Sequence, residues 1–145
     1  MKHFLGALVI VIAWTSCAMD YTATADIENA SDNDIKITLY YSRHFMDSAH
    51  HGDSITYISY IKYRIDRTGM PFQLDSSQLI ATILIQPGRT FEVAHIPGGW
   101  GIKPEYSEYD SISIRKGSKT ITRHVSEFPK IFEKKESGLW VWKIQ

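Results

Sequence analysis

The chain has 145 residues, and its 16 basic and 16 acidic side chains give no formal net charge at pH 7. A single domain usually takes about 100–200 residues, so one domain is expected. The balanced charge excludes a strongly basic nucleic-acid-binding chain and an acidic disordered tail. The chain has one cysteine, which excludes an internal disulfide framework and a cysteine-rich zinc module.

The N-terminus has the pattern of a secretory signal. A lysine precedes the unbroken apolar run Phe4–Trp14, which fits the h-region of about 7–15 residues in signal peptides. A membrane-spanning helix needs about 20 apolar residues, so the run is too short for a permanent span. The alternative is a buried N-terminal strand or helix. The abrupt change to polar sequence after Cys17 favours a removable signal over residues 1–16 and a mature domain over residues 17–145.

The end of this signal suggests how it is processed. Trp14-Thr15-Ser16-Cys17 resembles the lipobox of bacterial lipoproteins. In that family the cysteine thiol receives a diacylglycerol, the chain is cut before it, and the new N-terminus is acylated. The resemblance implies a palmitate-type lipid anchor on Cys17 in the cell envelope, on the periplasmic side or at the outer membrane. The alternative is ordinary cleavage after Ala18, which would release a secreted soluble domain.

After the signal, the spacing of apolar residues predicts strands. Ile35 to Tyr41 alternates apolar and polar side chains, which predicts a half-buried strand. The turn-forming cluster Asn29–Asp34 precedes it, and Thr22 to Glu28 is expected to be its hairpin partner. Ser54 to Ile65 is rich in β-branched and aromatic residues, and it is predicted to be another strand.

The rest of the chain continues this pattern. Five further strands are predicted at Leu79–Ile85, Thr90–Ala94, Ser111–Arg115, Thr120–His124 and Leu139–Ile144. Pro87-Gly88 and Lys116–Lys119 are expected to be the turns of two hairpins. Ser126 to Lys134 resembles a helix, which Pro129 limits to a turn or two. This spacing predicts an all-β fold, an antiparallel β-sandwich of about seven or eight short strands.

The order of these segments resembles the small β-sandwich lipoproteins of Bacteroidota cell envelopes. The segments that carry the resemblance are Asp26-Ile27-Glu28-Asn29, Ile85-Gln86-Pro87-Gly88 and Asp110-Ser111-Ile112. The segment from Arg43 to Leu74 is longer than those proteins usually carry. Most of them have no assigned function, so the resemblance implies a location and a fold but no chemistry.

Three aromatic residues at a glycine-rich loop are candidate ligand contacts. Trp100 lies in the loop Pro97–Pro104, and Tyr106 and Tyr109 follow it closely. A flat aromatic ring on a loop can stack on a sugar or a peptide, because loops carry function on a rigid scaffold. The alternative is that Trp100 folds back and covers the end of the sandwich.

Two polar patterns invite comparison with chemical sites. One combines imidazole and carboxylate groups, which can hold zinc. Its residues are His44, Asp47, His50, His51 and Asp53, and their spacing matches no established set of metal ligands. A solvated polar loop is therefore expected, with no metal or cofactor. The other pattern, Gly52-Asp53-Ser54, resembles the GDS motif of SGNH-type hydrolases. In that family a strand precedes the serine, whereas here the predicted strand follows it, so no catalytic residue is predicted.

The remaining features concern surfaces and the core. Trp140 and Trp142 share one face of the last predicted strand and are expected in the core. Basic residues outnumber acidic ones between Arg115 and Lys135, which suits either a face for anionic lipid headgroups or polysaccharide, or scattered solvated charges. The sequence therefore predicts a non-enzymatic structural or interaction module of the cell envelope. It is expected to contact the membrane through its N-terminal lipid and to bind an envelope protein or a glycan. No nucleic-acid partner is expected. The alternative is a glycan- or peptide-binding sandwich.

Overall fold

A computed structural model describes residues 21–98 and 101–145 of the chain. Its strands are β1 (Tyr21–Asn29), β2 (Ile35–Tyr41), β3 (Phe72–Asp75), β4 (Ile80–Ile85), β5 (Thr90–Gly98), β6 (Tyr109–Lys116), β7 (Lys119–His124), β8 (Glu133–Glu136) and β9 (Leu139–Ile144). Its helices are α1 (Arg43–Ala49), α2 (Ser54–Asp66), a 3-10 turn (Val125–Glu127) and α3 (Phe128–Ile131).

The strands form two packed sheets, which confirms the predicted all-β sandwich. The first sheet has the order β5-β1-β9-β8, and the second has the order β3-β4-β2-β6-β7. All neighbours are antiparallel except β1 and β9, which run parallel. Side chains that alternate along each strand fill the space between the sheets, including Ile27, Ile37, Leu39, Ile83, Phe91, Ile112 and Trp142.

The predicted hairpin of β1 and β2 is wrong, because the turn between them carries the chain from one sheet to the other. β1 pairs with β5 and β9, whereas β2 pairs with β4 and β6. The turn after β4, which contains Pro87-Gly88, also changes sheets rather than closing a hairpin. The hairpin of β6 and β7 and the final strand β9 are confirmed.

Asn29 joins the two turns that change sheets. Its backbone exchanges hydrogen bonds with the second turn, accepting from the Gly88 amide at 2.7 Å and donating to the Arg89 carbonyl at 3.0 Å. Its buried side-chain amide donates to the carbonyls of Asn33 (2.8 Å) and Ile85 (2.9 Å). The predicted turn cluster is therefore a polar junction whose buried groups all have partners, as buried polar groups require.

The segment predicted as a strand over Ser54 to Ile65 is the helix α2. Tyr57, Ile61 and Ile65 form its buried face, and their spacing of four fits a helix as well as the even spacing of a strand. The residues that separate the two cases are Ile55 and Tyr63, which a strand would bury on the same face. They are 76% and 68% exposed.

Arg64 of α2 and Arg67, the residue that caps the C-terminal end of α2, contact β5. Val93 is the extra residue of a β-bulge, because Ala25 pairs with Ala94 and the next residue pairs with Glu92. The Val93 carbonyl accepts hydrogen bonds from Arg64 Nη2 at 3.0 Å and from the Tyr109 hydroxyl at 2.9 Å. Arg67 also forms an ion pair with Glu92. The helix thus shields part of an edge strand whose backbone would otherwise be open to pairing.

Candidate functional site

A cleft of about 320 Å3 lies beside the first residues of β1. We call it the basic cleft, and it is lined by Thr22, Gly101, Ile102, Lys103, Lys134, Ser137, Gly138 and Trp140. These residues come from three parts of the chain: β1, the second half of the glycine-rich loop, and the β8–β9 hairpin. The cleft is therefore a product of the tertiary fold.

The parallel pairing of β1 with β9 builds one wall. Thr24 pairs with Leu139 in the register of the two strands. The Thr24 amide donates to the Gly138 carbonyl at 2.7 Å, and the Thr24 hydroxyl donates to the same oxygen at 3.2 Å. Gly138 has a φ of 83°, and a Cβ at this position would overlap the carbonyl oxygen of Thr22. Only glycine combines this backbone conformation with such a close approach.

A second glycine positions the opposite wall. A Cβ on Gly98, the last residue of β5, would overlap the side chain of Ile102. Ile102 therefore packs directly over the end of β5, and Lys103 follows it at the rim of the cleft. Gly98 in turn pairs with Tyr21 at the start of β1, so both walls lie at the same end of the first sheet.

The lining combines cations, hydroxyls and one aromatic face. The Lys134 ammonium lies 5.6 Å from the centre of the Trp140 ring, a distance at which a cation is attracted to the ring face. Lys103 adds a second ammonium, and Thr22 and Ser137 add hydroxyl groups. This set donates hydrogen bonds to an anion or an oxygen-rich ligand and offers a ring on which a flat group can pack.

The structure describes two of the three aromatic residues predicted to contact a ligand, and it buries both. Trp100 lies outside the described residues. Tyr106 and Tyr109 are 8% and 2% exposed, so the prediction that they present their rings to a ligand is corrected. Burial raises the pKa of both phenols.

The surroundings of these two tyrosines explain their burial. Tyr106 stacks on Phe132 with ring centres 5.1 Å apart, and Tyr109 lies 5.0 Å from Tyr41. Of the two tryptophans predicted for the core, Trp142 is buried. Trp140 is half-buried, and its ring lines the cleft.

The cluster of histidines and acids lies on α1 and the turn before α2. The Asp53 carboxylate caps α2, because it accepts hydrogen bonds from the amides of Ile55 (3.0 Å) and Thr56 (3.4 Å). These bonds, and above all one from the Thr56 hydroxyl, lower the pKa of Asp53. Among residues 21–98 and 101–145, no group of three or more such side chains is placed to hold a metal ion.

The same cap accounts for the resemblance to a hydrolase motif. Ser54 is the first residue of α2, directly after the capping Asp53. The nearby His50 ring instead packs against two tyrosines of α2, with ring centres 6.4 Å from Tyr57 and 5.3 Å from Tyr60. Gly52-Asp53-Ser54 is therefore explained by helix initiation in this fold.

Sequence patterns did not predict the basic cleft. Lys103 and Lys134 are far apart along the chain, and their segments meet because β5, β1, β9 and β8 are successive neighbours in one sheet. The signals that were present are glycines at Gly98, Gly101 and Gly138 on either side of the two lysines. Gly138, between the charged strand β8 and the tryptophan-containing strand β9, indicates a tight turn. It does not indicate which strand the resulting hairpin pairs with.

Comparison with known proteins finds no matching family model, no matching curated protein and no matching solved structure. The resemblance to envelope lipoproteins therefore stays a prediction, and Cys17 lies outside the described residues. Within the described ranges, no helix is both long and apolar enough to cross a membrane.

Proposed function

We propose that this protein is exported, is held in the cell envelope by a lipid on Cys17, and acts there as a non-enzymatic interaction module. The observation that carries the proposal is the order of segments in the chain. An apolar run of signal length ends just before the lone cysteine, and the first strand begins at Tyr21. The sandwich thus starts almost directly after the residue that would carry the lipid.

This short spacing has a physical consequence for an anchored protein. A fully extended chain spans at most about 3.6 Å per residue, so the four steps from Cys17 to Tyr21 reach no more than about 14 Å. A lipid on Cys17 would therefore keep the leading end of β1 within about 14 Å of the anchored cysteine, close to the membrane surface. Three acyl chains hold far more firmly than one, because each buried CH2 contributes about 0.8 kcal/mol.

Detergent phase partitioning combined with intact mass tests the anchor. The protein is expressed in a bacterium that processes lipoproteins, as the wild type, as Cys17→Ala and as Ser16→Ala. The last variant is the matched control, because it keeps a small residue before the cysteine. We expect the wild type and Ser16→Ala to enter the detergent phase with added acyl mass, and Cys17→Ala to gain none. A wild-type chain that stays aqueous and begins at Met19 would overturn the proposal.

A second candidate is glycan or peptide binding, which the half-buried Trp140 ring favours. Because Tyr106 and Tyr109 are buried, this candidate now depends on Trp140 in the cleft and on Trp100, which directly precedes the cleft residue Gly101. Titration with neutral β-linked trisaccharides, followed by tryptophan fluorescence, tests it. Binding should be lost in Trp140→Ala and kept in Tyr63→Ala, a matched aromatic change on the exposed face of α2. No change in fluorescence with the wild type refutes glycan binding.

A further inference from the structure

The basic cleft has a charge pattern that points to an anionic ligand. Its two charged residues, Lys103 and Lys134, are both cationic, and its described lining includes no aspartate or glutamate. Thr22 and Ser137 add hydroxyl donors. A neutral sugar is usually held by acceptors as well as donors, whereas a phosphate oxygen accepts only. The lining therefore suits a phosphate better than an uncharged sugar.

The two lysines also differ from their neighbours in pairing. Lys135 forms an ion pair with Glu133 at 2.8 Å, and Lys143 forms one with Glu28 at 3.4 Å. Among the ion pairs between described residues, none includes Lys103 or Lys134. Glu133, the carboxylate next to Lys134 in sequence, thus pairs with Lys135, and the Lys134 ammonium lies over the Trp140 ring.

The position of the cleft favours the phosphate of a lipid headgroup as its ligand. Thr22 and Gly138 lie at the leading end of β1, the end to which a lipid on Cys17 would be attached. Tryptophan rings and lysine side chains are favoured at headgroup depth, because each has an apolar body and a polar tip. A basic patch beside an acyl anchor also supplies the second signal that firm membrane attachment commonly uses.

We propose that the basic cleft binds the phosphate of an anionic phospholipid headgroup in the membrane that carries the protein. This inference takes its orientation from the lipid anchor proposed above. The ammonium groups of Lys103 and Lys134 hold the phosphate oxygens, and the Trp140 ring packs against the glycerol region. The volume of about 320 Å3 lies at the lower end of the range that small ligands occupy.

Quenching of tryptophan by brominated lipids tests the proposal. The purified protein, processed and lipidated by the expression host, is placed in phosphatidylcholine vesicles that contain increasing fractions of brominated phosphatidylglycerol or, separately, brominated phosphatidylcholine. Two lysines near a membrane surface correspond to about a 30-fold preference for an anionic headgroup. In the wild type, we therefore expect half-maximal quenching at a fraction of brominated phosphatidylglycerol about 30-fold lower than in Lys103→Gln/Lys134→Gln.

The matched control removes the same charge at the other end of the molecule. Lys116 and Lys119 pair at the tip of the β6–β7 hairpin, next to the end of β6 where Arg115 pairs with Lys36 at the start of β2. Ile35 at the start of β2 pairs with Ile85, and Ile85 is hydrogen-bonded to Asn29, the last residue of β1. The control lysines therefore lie near the end of β1, whereas the cleft lies near its start. Lys116→Gln/Lys119→Gln should keep the wild-type preference.

Each other result overturns the proposal. Equal quenching by the two lipids, or equal loss in both double variants, means that the cleft does not recognise an anionic headgroup. Loss of the preference at a glycerol phosphate concentration no higher than that of the vesicle phosphatidylglycerol assigns the site to a free phosphate, and loss on adding a neutral trisaccharide assigns it to a sugar. Intact mass is measured on the same samples, so a missing lipid on Cys17 refutes the anchor separately from the cleft.

Discussion

The replacement of Arg64 by methionine is the sharpest test of how α2 is held against the sandwich. Arg64 Nη1 contacts the Glu108 carboxylate at 2.6 Å and the Tyr60 hydroxyl at 3.3 Å. Arg64 Nη2 donates to the carbonyl of the bulged Val93 at 3.0 Å. One guanidinium therefore joins α2, the segment before β6, and the edge of the first sheet. Methionine keeps the helix propensity and much of the apolar stem but removes all three contacts.

The expected cost follows from how far the pair is shielded from water. Removing one partner of a fully buried ion pair costs about 3–5 kcal/mol, because the other charge is left uncompensated. The side chains of Arg64 and Glu108 are 14% and 19% exposed, and Glu108 keeps a hydrogen bond from Tyr60 at 2.7 Å. Because the pair is partly exposed and Glu108 keeps one partner, we expect Arg64→Met to lower the free energy of unfolding by about 2–3 kcal/mol, just below the range for fully buried pairs.

Arg67→Met is the matched control, since Arg67 caps the C-terminal end of the same helix, three residues after Arg64, and also forms an ion pair. Its side chain is 46% exposed, and exposed pairs contribute about 0–1 kcal/mol. Urea denaturation of the three proteins at pH 7 compares the two changes. An Arg64→Met variant as stable as Arg67→Met, within about 0.5 kcal/mol, would refute the role given to the buried pair.

Three further predictions follow from local geometry, and each is measured by urea denaturation. Asp53→Ala should lower the free energy of unfolding, because it removes the cap of α2, whereas Ser54→Ala should have little effect; equal losses would contradict this assignment. Gly138→Ala should cost about 1–3 kcal/mol more than Gly117→Ala, since both glycines have positive φ but only Gly138 lies against a backbone oxygen. Burial, and next a neighbouring carboxylate, raise the pKa of Asp26 above 3.8, so the folded chain holds that proton more tightly than the unfolded chain and stability falls as pH rises through this range. Asp26→Asn should therefore stabilise the protein at pH 7, and a gain that persists unchanged below pH 3.8 would contradict the sign.

The candidate site shows where local sequence reasoning fails for this chain. Tyr106 and Tyr109 follow a glycine-rich loop, which is a common setting for binding residues. Aromatic rings are also the largest apolar groups available to a small core, and here Phe132 and Tyr41 bury them. No pattern within a short window separates these outcomes, because the partners come from distant segments.

The sequence by itself determined the features that depend on neighbouring residues. These are the alternation of β2, the β6–β7 turn, the turn-forming cluster at Asn29, the limit that Pro129 sets on the last helix, and the all-β class of the fold. Backbone sterics and side-chain bonds within a few residues fix each of them. Nothing at that range conflicts with the structure in these segments.

Only the tertiary structure decided which strands pair and which segments leave the sheets. Tyr57, Ile61 and Ile65 fit both a strand and a helix, and α2 formed because one helical face could be buried while Asp53 capped its first turn. β1 pairs with β9 from the far end of the chain, and that pairing, together with the pairing of β8 with β9, places Lys134 and Trp140 beside Thr22. Pairing of distant strands is governed by the total apolar surface buried and by the backbone groups satisfied, quantities that belong to the whole fold rather than to any segment of it.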